Sequence, residues 1–312
     1  YYKERFGFCM SENQKQSLKP GKYHMVVDSE FIDGVLNYAE VIIKGESEKE
    51  IFFSTYVCHP SMANNECSGP VLLAEIIRQI TAMPNRKYTY RCVFVPETIG
   101  SISYLSTGSH LADMQKNVIA GFNLSCVGDN RDYSIVETHY ADTLADKVLK
   151  NVLHYRGKYS TYSYLKRGSD ERQYNAPGVD LPVVCFCRSK FVEYHTSMDN
   201  MSLISPEGLQ GSLEVMMEAI QALEHNGYYK INVLCDPQLG KRGLYPEVSK
   251  KGCWDAVASL TNFIAYADGS NDLIDISNII GVPVSELLEI LEKLLANNLL
   301  DVLPEKKIRE RK

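Results

Sequence analysis

Apolar residues fall along the chain in two rhythms. Short runs rich in β-branched and aromatic residues, at 23–27, 38–44, 51–57, 88–95, 118–126 and 182–187, predict strands. Between and after them, residues 71–83, 142–155 and 209–224 repeat apolar positions every three or four residues and predict helices. Strands that alternate with helices imply βαβ units, and hence an α/β fold with a mainly parallel sheet flanked by helices. The first two strands lie close together with Asp33-Gly34 between them, so a hairpin at the sheet edge or in a small β subdomain is expected over about residues 20–50.

From Gly227 the chain loses its period in a Gly- and Pro-dotted stretch, YYKINVLCDPQLGKRGLYPEVSKKG, which reads as a tie between domains. Three helical segments follow at 254–267, 273–280 and 283–297, with Gly281 in the turn between the last two. Residues 299–303 then read as the first strand of a wing, giving a winged helix-turn-helix. The expected units are 1–249 and 250–312, and 312 residues suit one α/β domain plus an appendage.

Composition narrows the class. Hydrophobic residues at 45% and charged residues at 23% are those of a globular protein with a full core. A net charge of −6 offers no overall attraction to nucleic acid phosphates or anionic membranes, and only the tail from Lys306 to Lys312 is strongly basic, as a solvated terminus would be. The nine cysteines are odd in number and sit mostly in apolar runs, so they read as reduced thiols. No apolar run approaches the roughly 18 residues of a membrane span and no signal-peptide pattern opens the chain, so a cytoplasmic location is expected. The opening YYKERFGF lacks an initiator Met and reads as the interior of a longer chain.

Three segments carry ligand-type residues where apolar strands end, the place where open α/β sheets put their sites. In STYVCHPSMANNECSGP, His59 ends a strand and an Asn-rich loop leads to a helix start at Ser68-Gly69-Pro70. Glu97 emerges from the strand in RCVFVPETIGS, and a carboxylate there needs a partner or a task. In RSKFVEYHTSMDN, His195 lies between the acids Glu193 and Asp199. Two histidines and a carboxylate from three strand ends suit zinc, which polarises a carbonyl or a bound water.

Taken together, CHPSMANNECSGP, PETIGS, RGSDERQY, PGVDLP, EYHTS and PQLGKRGLYP resemble the aminopeptidase-like domain proteins associated with polysaccharide-biosynthesis loci. These are a branch of the zinc aminopeptidase superfamily, which includes leucyl aminopeptidases and glutaminyl cyclases. The resemblance covers nearly the whole chain. It implies an aminopeptidase-like sheet, a C-terminal winged helix, and a metal site in which His59 matches the first histidine and His195 the last. The bridging aspartate falls on Asn65, a two-acid pair is reduced to Glu97 beside Thr98, and a further ligand acid falls on Ser125. One zinc ion rather than two is therefore expected. Asp170 is the spare acid, either a ligand itself or the match of an acid that orients the site, while Arg167, Glu171 and Arg172 beside it either hold a substrate's carboxylate or amine or form a surface ion-pair cluster.

The resemblance implies a metal-dependent hydrolase of amide bonds, an aminopeptidase with zinc-activated water and Glu97 as general base. Two alternatives stand beside it. One is an amide hydrolase or cyclase acting on a sugar-linked substrate, and the other is a degenerate, metal-poor sensor or regulatory scaffold that uses its winged helix. The expected partners are a small peptide or amide, no membrane, and either protein or DNA for the winged helix. Its second helix carries Glu286, Glu289 and Glu292 against Lys293, which favours protein, and self-association of the chain is left open.

Overall fold

The computed structural model describes residues 3–59, 61–245 and 253–304. The basic tail at 306–312 and the boundary expected at 249/250 lie outside the described residues. A leading segment with one short helix, α1 (Glu12–Ser17), is exposed as far as residue 39. The strand expected at 23–27 does not form. Its residues have no neighbouring strand to pack against, and β-propensity acts through such packing.

The main sheet begins with β1 (Ala39–Ile43) and β2 (Glu50–Tyr56), followed by α2 (Ser68–Ala82), β3 (Thr89–Val95), α3 (Ile99–Ser106), α4 (His110–Asn117) and β4 (Val118–Leu124). It continues through β5 (Ser134–Val136), α5 (Leu144–Arg156), β6 (Ser160–Tyr162), α6 (Glu171–Tyr174), β7 (Val183–Cys187) and α7 (Pro206–His225). The strand order is β1-β3-β2-β4-β7-β5-β6. The four central strands β3, β2, β4 and β7 are parallel, while β1 runs antiparallel to β3 and β5 antiparallel to β7. Of the two places expected, β1 takes the edge of the main sheet, and the small β subdomain is corrected: β1 pairs with β3 and not with a strand at 23–27.

Every residue of β2 is buried, as a parallel strand covered on both faces must be. Ile51 and Phe53 point to the side of α2, α5 and α7, and Phe52 to the side of Tyr104 and Tyr174, the two-residue alternation of a strand. Arg91 on β3 is buried against Glu50 at 2.7 Å and Glu40 at 2.6 Å, which satisfies a cation that could not otherwise leave water.

After α7 come β8 (Tyr228–Ile231), α8 (Cys253–Tyr266), β9 (Asp268–Asp272), α9 (Leu273–Ile280), α10 (Val284–Ala296) and β10 (Leu300–Leu303). Strands β9, β8 and β10 form a second, antiparallel sheet with β8 in the middle. The stretch expected to be an irregular tie therefore supplies the central strand of the C-terminal sheet, and strand pairing moves the start of that unit to about residue 227. Its apolar residues Phe263, Leu273 and Leu291 join the same core as Ile51 and Leu149. Polar contacts cross between the units as well, with Lys147 Nζ at 2.7 Å from Asp272 and Asn151 Nδ2 donating to Ser277 Oγ at 2.8 Å.

Candidate active site

The carboxyl ends of β2, β3, β4 and β7 open on a cleft of about 300 Å³ whose walls include Tyr56, Glu97, Ser125, Glu171, Lys190 and Tyr194. Helix α2 starts hard against the ends of β2 and β4. A Cβ on Gly69 would meet Thr55 Oγ1 at 2.2 Å and the Leu124 carbonyl at 2.8 Å, so only glycine admits this approach.

The loop before α2 is held by buried acids. Asp199 accepts the backbone N–H of Asn64 at 2.7 Å and of Asn65 at 3.0 Å, and Asp129 accepts Asn64 Nδ2 at 3.0 Å. Asp199, read in the sequence as a neighbour of the site histidine, pins this turn instead. Asn65 is buried, and its Oδ1 accepts the Tyr56 hydroxyl at 2.6 Å, while Ser125 Oγ lies 2.7 Å from the same hydroxyl. The two positions that depart from the acid pattern, Asn65 and Ser125, are thus joined through Tyr56 into one neutral hydrogen-bonded group. Burial, foremost, holds the Tyr56 hydroxyl protonated far above its ordinary range.

His59 is paired with Glu66, Nδ1 to Oε1 at 2.9 Å, and Glu66 Oε2 accepts the Cys58 N–H at 3.1 Å. Glu66 was not singled out from the sequence, although an acid one residue beyond the bridging position was the available signal. His195 is exposed, has a left-handed backbone (φ 59°) and stacks on Tyr194 at 3.8 Å. Glu193 is turned away into a bidentate pair with Arg131 at 2.8 and 2.9 Å.

Glu97 stands half-buried in the cleft wall. Burial raises its pKa, with Glu66 and Glu171 adding to the rise and Ser169 and His195 opposing it. It therefore stands within electrostatic reach of residues from the other two segments, and a carboxyl raised in this way suits proton transfer. Behind it, Asp170 accepts the Thr98 N–H at 2.6 Å and Ser101 Oγ at 3.0 Å, holding Thr98 in its unusual backbone conformation (φ 61°). Glu171 is buried, accepts the N–H of Gly168 at 2.9 Å and Asn123 Nδ2 at 3.1 Å, and still lines the cleft. Arg167 is exposed and lies over the Tyr164 ring at 4.7 Å, so it does not share the cleft.

Glu97 and Glu171 thus line the cleft, Asn65 and Asp170 are buried beneath it, and His59 and His195 are not among its lining residues. Among the described residues no three His, Cys, Asp or Glu side chains stand together as a metal site. His59 is engaged by Glu66 and Asn65 by Tyr56, so these residues, as arranged, do not fit a zinc ion.

The comparisons with known proteins agree with this geometry in part. Residues 22–226 match the family described as domain of unknown function DUF4910. The chain belongs to that family. Residues 226–302 of this DUF4910 chain match a winged helix-turn-helix family. A Clostridium acetobutylicum protein described as a polysaccharide biosynthesis protein with an aminopeptidase-like domain is 39% identical over 283 residues, which are 89% of this chain and 64% of the relative. The DUF4910 chain therefore spans a little under two thirds of that relative's length. A crystal structure of a candidate peptidase from C. acetobutylicum superposes with a TM-score of 0.87 at 36% identity, covering 97% of this chain and 69% of the other. More remote likenesses, to an aminopeptidase from Aneurinibacillus sp. strain AM-1 (TM-score 0.51, 18% identity, 60% of this chain and 47% of that one) and to a Porphyromonas gingivalis glutaminyl cyclase (0.50, 16%, 60% and 78%), show the aminopeptidase-like fold of the DUF4910 domain.

Proposed function

We propose that the cleft is the site of an aminopeptidase-like hydrolase of amide bonds, with Glu97 as the group that takes a proton from water and returns it to the leaving nitrogen. The observation that carries this reading is the position of Glu97, half-buried in the wall of the cleft with its pKa raised. Tyr194 lines the same cleft with its hydroxyl pushed up to about 12, chiefly by burial, so it stays protonated and able to donate to a carbonyl oxygen. Lys190 adds a positive charge beside it. The single zinc ion expected from the resemblance is left out of the proposed steps, because His59 is engaged by Glu66 and Asn65 by Tyr56. A sugar-linked amide is a substrate class consistent with the description of the C. acetobutylicum relative.

Glu97→Gln should lower turnover of aminoacyl anilides or short peptides by about 10²- to 10⁴-fold, the usual worth of a positioned proton-transfer group, at an unchanged melting temperature. Assays run with and without added zinc decide the reading: equal rates for the two proteins would refute the role of Glu97.

A second reading, a ligand-binding regulatory domain without turnover, is favoured by the neutral Tyr56–Asn65–Ser125 group at the place where the resemblance calls for acids. No turnover on any amide, with tight binding of a small amide ligand, would support it. For the winged helix we propose a protein partner, since α10 exposes Glu286, Glu289 and Glu292 and its Lys293 is paired with Glu289 at 2.6 Å. Among the described residues no helix is long and apolar enough to cross a membrane.

A further inference from the structure

We propose that Cys185 and Cys187 form a reactive dithiol in the wall of the cleft, a modification site at which Cys187 captures small disulfides that enter it. The two residues are two apart on β7, so their side chains share one face of the strand, and their sulfurs lie 3.5 Å apart. Both line the cleft together with Cys126 and Lys190. Val136 and Tyr162 pack against the pair, and the Lys190 ammonium lies 5.1 Å above the Tyr162 ring.

The environment separates this pair from Cys92, a buried thiol of the core. Either S–H can donate in the hydrogen bond between the two sulfurs, and with Cys185 donating it holds the Cys187 thiol below its ordinary range. Burial opposes this, and the Lys190 charge assists it. Cys185 is correspondingly pushed up. Cys92, on β3, has no such partner, and burial alone pushes its thiol up to about 12. One buried thiol is thus activated and faces a cleft, whereas the other is a core side chain.

The chemistry balances with a low-molecular-weight disulfide, RS–SR, as oxidant. The Cys187 thiolate attacks one sulfur, the S–S bond breaks, and RS⁻ leaves to be protonated, with a mixed disulfide remaining in the cleft. Cys185, on losing its proton, can then attack Cys187 Sγ and expel the second RSH. Two protein thiols are oxidised and one small disulfide is reduced to two thiols. At a rise of about 3.3 Å per residue the two Cα atoms stand roughly 6.6 Å apart, near the upper end of what a disulfide spans. The second step therefore requires strand adjustment, and the mixed disulfide is the species that accumulates. Its adduct would occupy the cleft beside Glu97 and close the site, a consequence that rests on the proposed function.

The capture itself is read without any turnover. The whole chain is exposed to oxidised glutathione and, separately, to the smaller methyl methanethiosulfonate, and adducts are quantified cysteine by cysteine after proteolysis. The segment 173–188 carries Cys185 and Cys187 and no other cysteine, so its label is separable from that of the exposed Cys9, Cys58 and Cys235. Labelling of this segment should be about tenfold or more faster than that of Cys92 with either reagent. Cys187→Ser should abolish the fast label, and Cys185→Ser should retain it as a mixed disulfide that never resolves. Labelling no faster than at Cys92, or a fast label that survives in Cys187→Ser, overturns the assignment. Loss of hydrolysis without an adduct on this segment would count against it as well. An adduct on a chain that hydrolyses nothing would confirm the dithiol and refute only the proposed function.

Discussion

Asp170→Asn tests whether the cleft rests on a carboxyl that resists ionisation. Asp170 is fully buried, with Oδ1 accepting from Thr98 N–H and Ser101 Oγ, while Oδ2 has no hydrogen-bond partner among the described residues. Burial, with Glu97 and Glu171 adding to it, pushes this carboxyl from an ordinary 3.8 up to about 7, against the pull of the two hydrogen bonds. At about 1.4 kcal/mol for each tenfold change in proton affinity, the ionised form costs the fold on the order of 4 kcal/mol. The sign follows from which state holds the proton. Between about pH 4 and 7 the folded chain keeps a proton that the unfolded chain has released, so this residue's contribution to stability falls as pH rises and levels off above about 7. Asparagine keeps the carbonyl acceptor and never ionises, but its Nδ2 would stand unpaired where Oδ2 is, at about 1–3 kcal/mol. Urea unfolding of both proteins should therefore show the variant more stable by about 1–3 kcal/mol near pH 8 and no more stable near pH 4. A difference that does not change with pH would refute the reasoning.

Asn65→Asp places a charge beside Glu66 and His59, where the resemblance calls for a bridging acid. Zinc affinity measured by calorimetry should rise at least about tenfold, and an unchanged affinity would show that residue 65 does not limit metal binding. Arg91→Leu leaves Glu50 buried and unpaired, so unfolding should be easier by about 3–5 kcal/mol; a loss below about 1 kcal/mol would mean that the ion cluster is solvated. Ending the chain after Tyr245 removes both partners of β8 and uncovers the apolar faces of α5 and α7. Circular dichroism should then show a broadened or lost melting transition, whereas a sharp transition at the temperature of the full chain would mean that the first unit folds alone.

The sequence alone determined the elements with strong internal signals. Strands β2, β3, β4 and β7 and helices α2, α5, α7, α9 and α10 were legible because burial on both faces gives continuous apolar runs and burial on one face gives helical period. It also placed His59, Glu97 and His195 after the ends of apolar strands, and of these Glu97 lines the cleft. Short strands were not legible: β5 and β6 span three residues each, and β8 sits in a stretch whose Gly and Pro masked it, since each is held by its neighbours rather than by its own composition. The reverse error at 23–27 has the same origin, a strand-like composition with nothing to pair against.

Only the tertiary structure decided what each site residue does. It turned Asp199 into the clamp of the Asn64-Asn65 turn, gave His59 to Glu66, and left Arg167 outside the cleft. It also joined Asn65 to Ser125 through Tyr56, residues that stand nine and sixty-nine positions from that tyrosine. Residue type and spacing say which groups can ionise, donate or ligate. Which of them meet depends on strand order and on the few ångströms between side chains, and a linear pattern carries neither.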